Sequence, residues 1–309
     1  MNDIRTAHTS LNPVRSGLGA TRPGNAAGTH GVIGISIVQR VARAVIWAWV
    51  VINVFFMIWV VVASLKESSD IFSRTEVFAL PIHPQWQNYS DAWVNSEIGL
   101  AMLNTVIVVG ISSVLVVAIS APAAYALARF PNRSASALSG LFAIGMGIPL
   151  PAIVLPLYIA YVQVGLINTL VGLGILYVAT EIPFTVFLLT GYFRSLPFEL
   201  EEAAAMDGSS IMRTLRDIML PLAKPGILTA LILNVVFLWN ETALVLYFIQ
   251  DDTKFTLGRA LLNLGTSATY TSAWGSMMAG SVIVVAPVIV LYIILGKQVV
   301  EGLTLGSGK

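Results

Sequence analysis

From Ser134 to Thr180 the chain runs forty-seven residues without a charged side chain, and Ala44–Leu65 and Ile98–Ala128 are also uncharged. A helix rises about 1.5 Å per residue, so some twenty apolar residues cross a hydrocarbon layer about 30 Å thick. Ala44–Leu65 is long enough for one crossing and Ser134–Thr180 is long enough for two. With 56% hydrophobic and 11% charged residues and a mean hydropathy of +0.82, no soluble core hides this much apolar surface. In lipid the backbone must satisfy its own hydrogen bonds, and runs of this length do so as helices. The expected class is therefore an all-α integral membrane protein.

Six spans are expected, near 44–65, 100–121, 137–161, 168–192, 226–249 and 275–296. Residues 1–40, rich in Ser, Thr, Gly, Asn and Pro, read as a disordered tail ahead of a membrane domain over 41–309. The break inside the longest run falls at Gln163–Asn168, and Pro149, Pro151 and Pro156 are expected to kink the third helix. The run from Ala260 to Gly296 is too long for one span, so its start is expected to lie along the membrane surface. Lys297–Lys309 closes the chain as a tail.

Counting Lys and Arg sets the orientation. With the N-terminus in the cytoplasm, thirteen fall on that side, and only Lys66, Arg74, Lys254 and Arg259 fall on the other. This asymmetry favours both termini inside. The cysteine count is zero, which excludes disulfide and thiol chemistry, and His8, His30 and His83 are too scattered for a metal site. The net charge is +1, with no basic aromatic stripe, so nucleic acid is not a partner.

One amphipathic insert, residues 195–221, interrupts the apolar runs on the cytoplasmic side. Pro197 and the acids Glu199, Glu201 and Glu202 suit the start of a short helix, and Gly208 suits its stop. Ser209 or Ser210 is placed to cap a second helix. That helix is expected to carry Ile211, Met212, Leu215, Ile218 and Met219 on one face, to carry Arg213, Thr214, Arg216 and Asp217 on the other, and to end at Pro221 and Pro225. Spacing alone leaves a surface connector and a docking element equally open.

The order of residues resembles something more specific. Glu202-Ala203-Ala204, Asp207-Gly208 and Leu220-Pro221 resemble the EAA signature of the membrane-spanning subunits of ABC importers, in its carbohydrate-importer form. Asn104-Thr105, Ala124 to Arg129, Trp239-Asn240-Glu241 and Gly302-Leu303-Thr304 are similar to further patterns of that family, so the resemblance covers roughly residues 40–309. It implies a type I ABC importer permease fold of the maltose-type second permease. Glu202, Ala203, Ala204, Asp207, Gly208, Leu220 and Pro221 would then couple to an ATPase. The implied partners are a second homologous permease, a cytoplasmic ATPase dimer that holds ATP and Mg, an extracytoplasmic solute-binding protein, a sugar substrate and membrane lipid. No cofactor is bound by this chain itself, and the implied location is a bacterial-type inner membrane.

The chain is not read as an enzyme. The glycines of Gly302–Lys309 do not match the spacing of a phosphate-binding loop. Ionisable groups inside spans cost about 2.5–3.5 kcal/mol on insertion, which marks Glu181 and Glu241 as candidates. With Asn234, Phe237, Trp239 and Asn240 they form the candidate translocation pathway, Asn234, Phe237, Leu238 and Glu241 being expected on one helical face. The competing reading for Asn234 and Glu241 is hydrogen bonding between helices, and for Asn234 it is preferred. Two alternatives stay open from the residues: an ABC permease for a non-sugar solute, and a gradient-driven secondary transporter with Glu181 as ion or proton carrier.

Overall fold

The computed structural model describes residues 29–73 and 75–306, with side chains over 37–73 and 75–296. The chain divides into one unit up to Phe55 and another from Phe56 onward. Helix α1 (Thr29–Ala63) supplies the described part of the first unit, and its side chains from Ile37 to Phe55 are all exposed. The tail expected over 1–40 lies outside the described residues up to 28. Residues 29–40 are helical instead.

In the second unit the central pair is α2 (Ile98–Arg129) and α5 (Leu170–Ser195). Their contact uses small side chains, with Ser112, Ser113, Ser120, Ala121 and Ala124 buried along α2. The Ser112 hydroxyl donates to the Gly174 carbonyl at 3.3 Å. Small residues let two backbones approach and replace the hydrophobic drive that lipid cannot supply.

The expected third helix is two helices, α3 (Arg133–Gly147) and α4 (Leu150–Gln163), bent by 99° at Ile148–Pro149. The break is sharper than a kink. Ile148 precedes a proline, which disfavours helical dihedrals, and both Ile148 and Pro149 are extended. Pro149 and Pro151 then supply no ladder donors, while Pro156 stays inside α4.

The elbow is formed by α6 (Glu199–Met206) and α7 (Ile211–Leu222), and α7 meets α8 (Lys224–Trp239) at 74°. A Cβ on Gly226 would fall 2.5 Å from the Tyr192 ring, so this glycine lets α8 close on α5. The expected fifth span over 226–249 is not one helix: α8 stops at Trp239 and α9 (Ala243–Phe248) follows. Next come α10 (Leu257–Thr271) and α11 (Trp274–Gly306), parted at Ser272, whose φ is +59°. The division expected within 260–296 is present, and residues 297–306 continue α11 rather than trailing off.

Among the described residues there is no strand. Four helices among the described residues are long and apolar enough to cross a membrane, or six if each bent pair is one span. At one end of α2, Asn104 Nδ2 donates to the carbonyls of Thr253 and Phe255 at 3.0 Å each. Thr105 Oγ1 accepts from Leu257 N–H at 2.8 Å. Asn104-Thr105 thus holds the start of α10. Asn168, at φ +59°, accepts from Gln250 and Asp251 N–H at 3.1 and 3.0 Å and joins the α4–α5 turn to the segment after α9.

Candidate coupling elbow and translocation face

Helix α6 begins at Glu199 with Phe198 as N-cap, so Pro197 lies before it rather than in its first turn. Glu199, Glu201 and Glu202 occupy the first turn, where carboxylates meet the positive end of the helix dipole. The helix stops at Gly208, with φ of +77° and open space around its Cα. The requirement there is the left-handed backbone, not room. Ser210, the second of the two capping candidates, accepts from Arg213 N–H at 3.4 Å.

Helix α7 continues through Pro221 and ends at Leu222, contrary to the expected stop at Pro221. A wide turn at Leu215–Met219 precedes it, where Leu220 N–H reaches back to Leu215 O. The shifted ladder meets a residue with no N–H to contribute, and Pro225 falls in the first turn of α8. The two faces of α7 also differ from expectation. Leu215 and Met219 are buried, but Ile211 and Met212 are exposed, while Thr214 is buried with its hydroxyl 3.2 Å from Ser209 Oγ.

The adjacent acids of α6 point apart. Glu201 Oε1 lies 2.5 Å from Arg129 Nε, with side chains 11% and 7% exposed. Tyr125 OH donates to Glu201 Oε2 at 2.8 Å. Arg129 Nη2 also donates to Leu196 O at 3.0 Å, and the guanidinium sits 5.7 Å over the Phe198 ring. Glu202, Ala203, Ala205, Met206, Asp207 and Gly208 are exposed, and of the three alanines only Ala204 is buried. Leu220 is half-buried and Pro221 exposed.

Glu201 and its partners are what the sequence reading missed. The available signal was the tandem Glu201-Glu202, since neighbours on a helix stand about 100° apart and cannot both face one partner.

On the other candidate face, Tyr177, Glu181 and Thr185 follow one another at four-residue spacing along α5. Thr185 and Asn234 bond to each other at 3.0 and 3.2 Å, both buried, and join α5 to α8. Glu241 lies past the end of α8, where Oε1 accepts from Leu244 N–H at 2.7 Å and Oε2 from Tyr177 OH at 3.2 Å. Trp239 Nε1 donates to Val284 O at 3.2 Å, tying α8 to α11.

Asn234, Trp239 and Glu241 are thus engaged in holding elements together, as preferred for Asn234. Glu181 is half-buried. Phe237 is exposed and packs edge-on against Phe184 at 5.7 Å, and Asn240 is exposed with its amide on Val236 O at 2.8 Å. The single stripe expected over Asn234, Phe237, Leu238 and Glu241 does not form, because Asn234 and Leu238 are buried, Phe237 is not, and the helix ends before Glu241. Among the described residues no cluster of three or more His, Cys, Asp or Glu is placed to hold a metal ion.

Long apolar helices, two of them bent pairs, with a charged elbow between α5 and α8, define a multi-pass membrane permease subunit. Residues 119–301 match the family described as binding-protein-dependent transport system inner membrane component, and the chain belongs to that family. It is a transport component rather than an enzyme.

The diacetylchitobiose uptake system permease protein NgcG of Streptomyces coelicolor is 34% identical over 86% of this chain and 88% of its own. The melibiose/raffinose/stachyose import permease protein MelC of Bacillus subtilis is 33% identical over 80% of this chain and 88% of its own. A chain in the crystal structure of a bacterial ABC transporter that imports the acidic polysaccharide alginate superposes with a TM-score of 0.71. It shares 22% identity and covers 89% of this chain and 99% of that one. At that identity the likeness is one of fold, a type I ABC importer permease. Family membership displaces the gradient-driven alternative.

Proposed function

We propose that this chain forms half of the translocation pathway of an ATP-driven carbohydrate importer and that elbow 195–221 couples it to a separate ATPase. The observation that carries the proposal is the division of α6, in which Glu201 is consumed internally while Glu202, Ala203, Ala205, Met206 and Asp207 face outward. Ile211 and Met212 add exposed apolar surface beside them. A charged and apolar knob of this kind suits a protein cleft. Carbohydrate as cargo is supported by what the named relatives are said to carry.

In this reading the chain crosses the inner membrane six times with both termini in the cytoplasm, α3 with α4 counting as one crossing and α8 with α9 as another. It pairs with a second homologous permease, two ATPase copies that hold ATP and Mg, and an extracytoplasmic binding protein. Closure of the ATPases moves the elbows and turns the cavity outward. Driving such an equilibrium from 1:99 to 99:1 takes about 5.5 kcal/mol of differential interaction, so the elbow contact has to be firm. Glu181, Phe237 and Asn240 are the proposed pathway residues with surface to offer a hydroxyl-rich solute. Asn234, Trp239 and Glu241 shape the wall behind them.

The test is co-purification of the tagged chain from native membranes in mild detergent. Recovery of an ATPase and a second permease supports the reading, and recovery of neither contradicts it.

A further inference from the structure

We propose that Arg129, Glu201 and Tyr125 form a joint that carries movement of the elbow into α2, and through α2 to the segment 253–257 near its opposite end. This rests on the elbow being the ATPase handle. Helix α6 has only eight residues and hangs from α5 by Leu196, which is extended, and Pro197, which has no N–H. The backbone bonds on either side, Leu196 N–H to Phe193 O and Glu201 N–H to Phe198 O, stay on their own side of this link. An α6 held by that link alone would pivot without moving α2.

Arg129 removes this freedom. Its Nη2 donates to Leu196 O, its Nε stands in ion-pair contact with the Glu201 carboxylate, and the Phe198 ring lies under it. The guanidinium spreads its charge over three nitrogens, so it meets a carbonyl and a carboxylate at once, where a lysine ammonium is a single point of charge. Tyr125, one turn earlier on α2, takes the second carboxylate oxygen and so fixes the plane of the group. Elbow and α2 are joined by two residues on the same helix.

The rest of α2 runs as one continuous helix, with Pro122 inside it, to a second fastening. It packs along α5, and 25 residues before Arg129, about 37 Å at about 1.5 Å per residue, Asn104 grips the carbonyls of Thr253 and Phe255. Thr105 beside it holds the N–H of Leu257. Both ends of one helix are therefore fastened by buried side chains to segments that come much later in sequence. Glu201 faces into the joint and Glu202 faces out of it, so the tandem acids divide the work of transmitting and docking.

The test uses the assembled transporter, the chain with its ATPase and second permease. The absence of native cysteine in this chain leaves a single Asp252→Cys spin label as its only thiol adduct. With the native joint, adding a non-hydrolysable ATP analogue changes the spectrum of this label. Glu201→Gln and Arg129→Gln are expected to keep the ATPase in the complex and to lose that change. A full spectral response in both variants overturns the proposal, and so does loss of the ATPase from both, because the cluster then shapes the docking surface itself. Failure of the unmutated chain to bring down an ATPase instead refutes the proposed function, which keeps the two failures apart.

Discussion

Arg129 Nε and Glu201 Oε1 stand 2.5 Å apart across the α2–α6 contact, with side chains 7% and 11% exposed. Removing one partner of a buried pair leaves the other charge stranded, at a cost of about 3–5 kcal/mol, while replacing both with apolar groups is often neutral. Arg129→Ala is therefore expected to lower thermal stability of the purified complex sharply. The double variant Arg129→Met with Glu201→Leu is expected to recover most of it. Melting followed by tryptophan fluorescence checks both, and equal melting temperatures for the single variant and the native chain would contradict the pairing.

Gly208 holds φ of +77° in open space. A side chain there meets no neighbour, so its penalty is that of the left-handed backbone alone, about 1–2 kcal/mol for alanine and less for asparagine. Uptake in cells is expected to fall in the order glycine, asparagine, alanine, proline. With Gly208→Pro or Glu202→Lys, protein stays in the membrane while ATP hydrolysis no longer drives uptake. Normal uptake by both at normal expression would contradict the elbow's role.

Asn104 supplies a buried amide to two backbone carbonyls of the segment before α10. Leucine at this position leaves both without that donor, at a cost of about 1–3 kcal/mol for a buried group left unmet. Asn104→Leu is expected to speed amide hydrogen exchange over 253–260 while leaving α5 unchanged. Exchange mass spectrometry decides, and uniform protection would show that the amide is dispensable.

Glu181 and Asn234 lie on facing helices but are expected to fail differently. Asn234→Leu breaks the bond to Thr185 and lowers stability by about 1–3 kcal/mol. Glu181→Gln keeps its volume and has only a half-buried site to disturb, so the complex should assemble normally with altered uptake. Transport assayed in vesicles at matched complex content separates the two, and unchanged transport in Glu181→Gln would remove it from the pathway.

Much of this architecture was legible because lipid allows so few choices. Uncharged runs of twenty residues had to be helices, and Gly208 and Ser210 marked the elbow by turn and cap chemistry. The breaks were harder. Pro149 announced a disturbance, but its size, 99°, depends on how α3 and α4 find their neighbours. Nothing periodic marked the stop at Trp239, which is followed by Glu241 accepting from Leu244 N–H and starting α9, a local bond inside an apolar run. Glu201 stayed hidden because its partner, Arg129, is 72 residues earlier, and sequence spacing says nothing of contacts between helices that distant. Thr214 was assigned to the polar face by type, yet Ser209 satisfies its hydroxyl and lets it be buried.

The central claim, that the elbow is a handle for a separate ATPase, is tested most directly by purifying the tagged chain from native membranes alongside its Glu202→Lys variant. The account predicts that the native chain brings down a stoichiometric ATPase together with a second permease. It predicts that the variant, present in the membrane in equal amount, brings down less ATPase while keeping the permease. Equal ATPase recovery with equal ATP-driven uptake in both, or no ATPase with either, would contradict it.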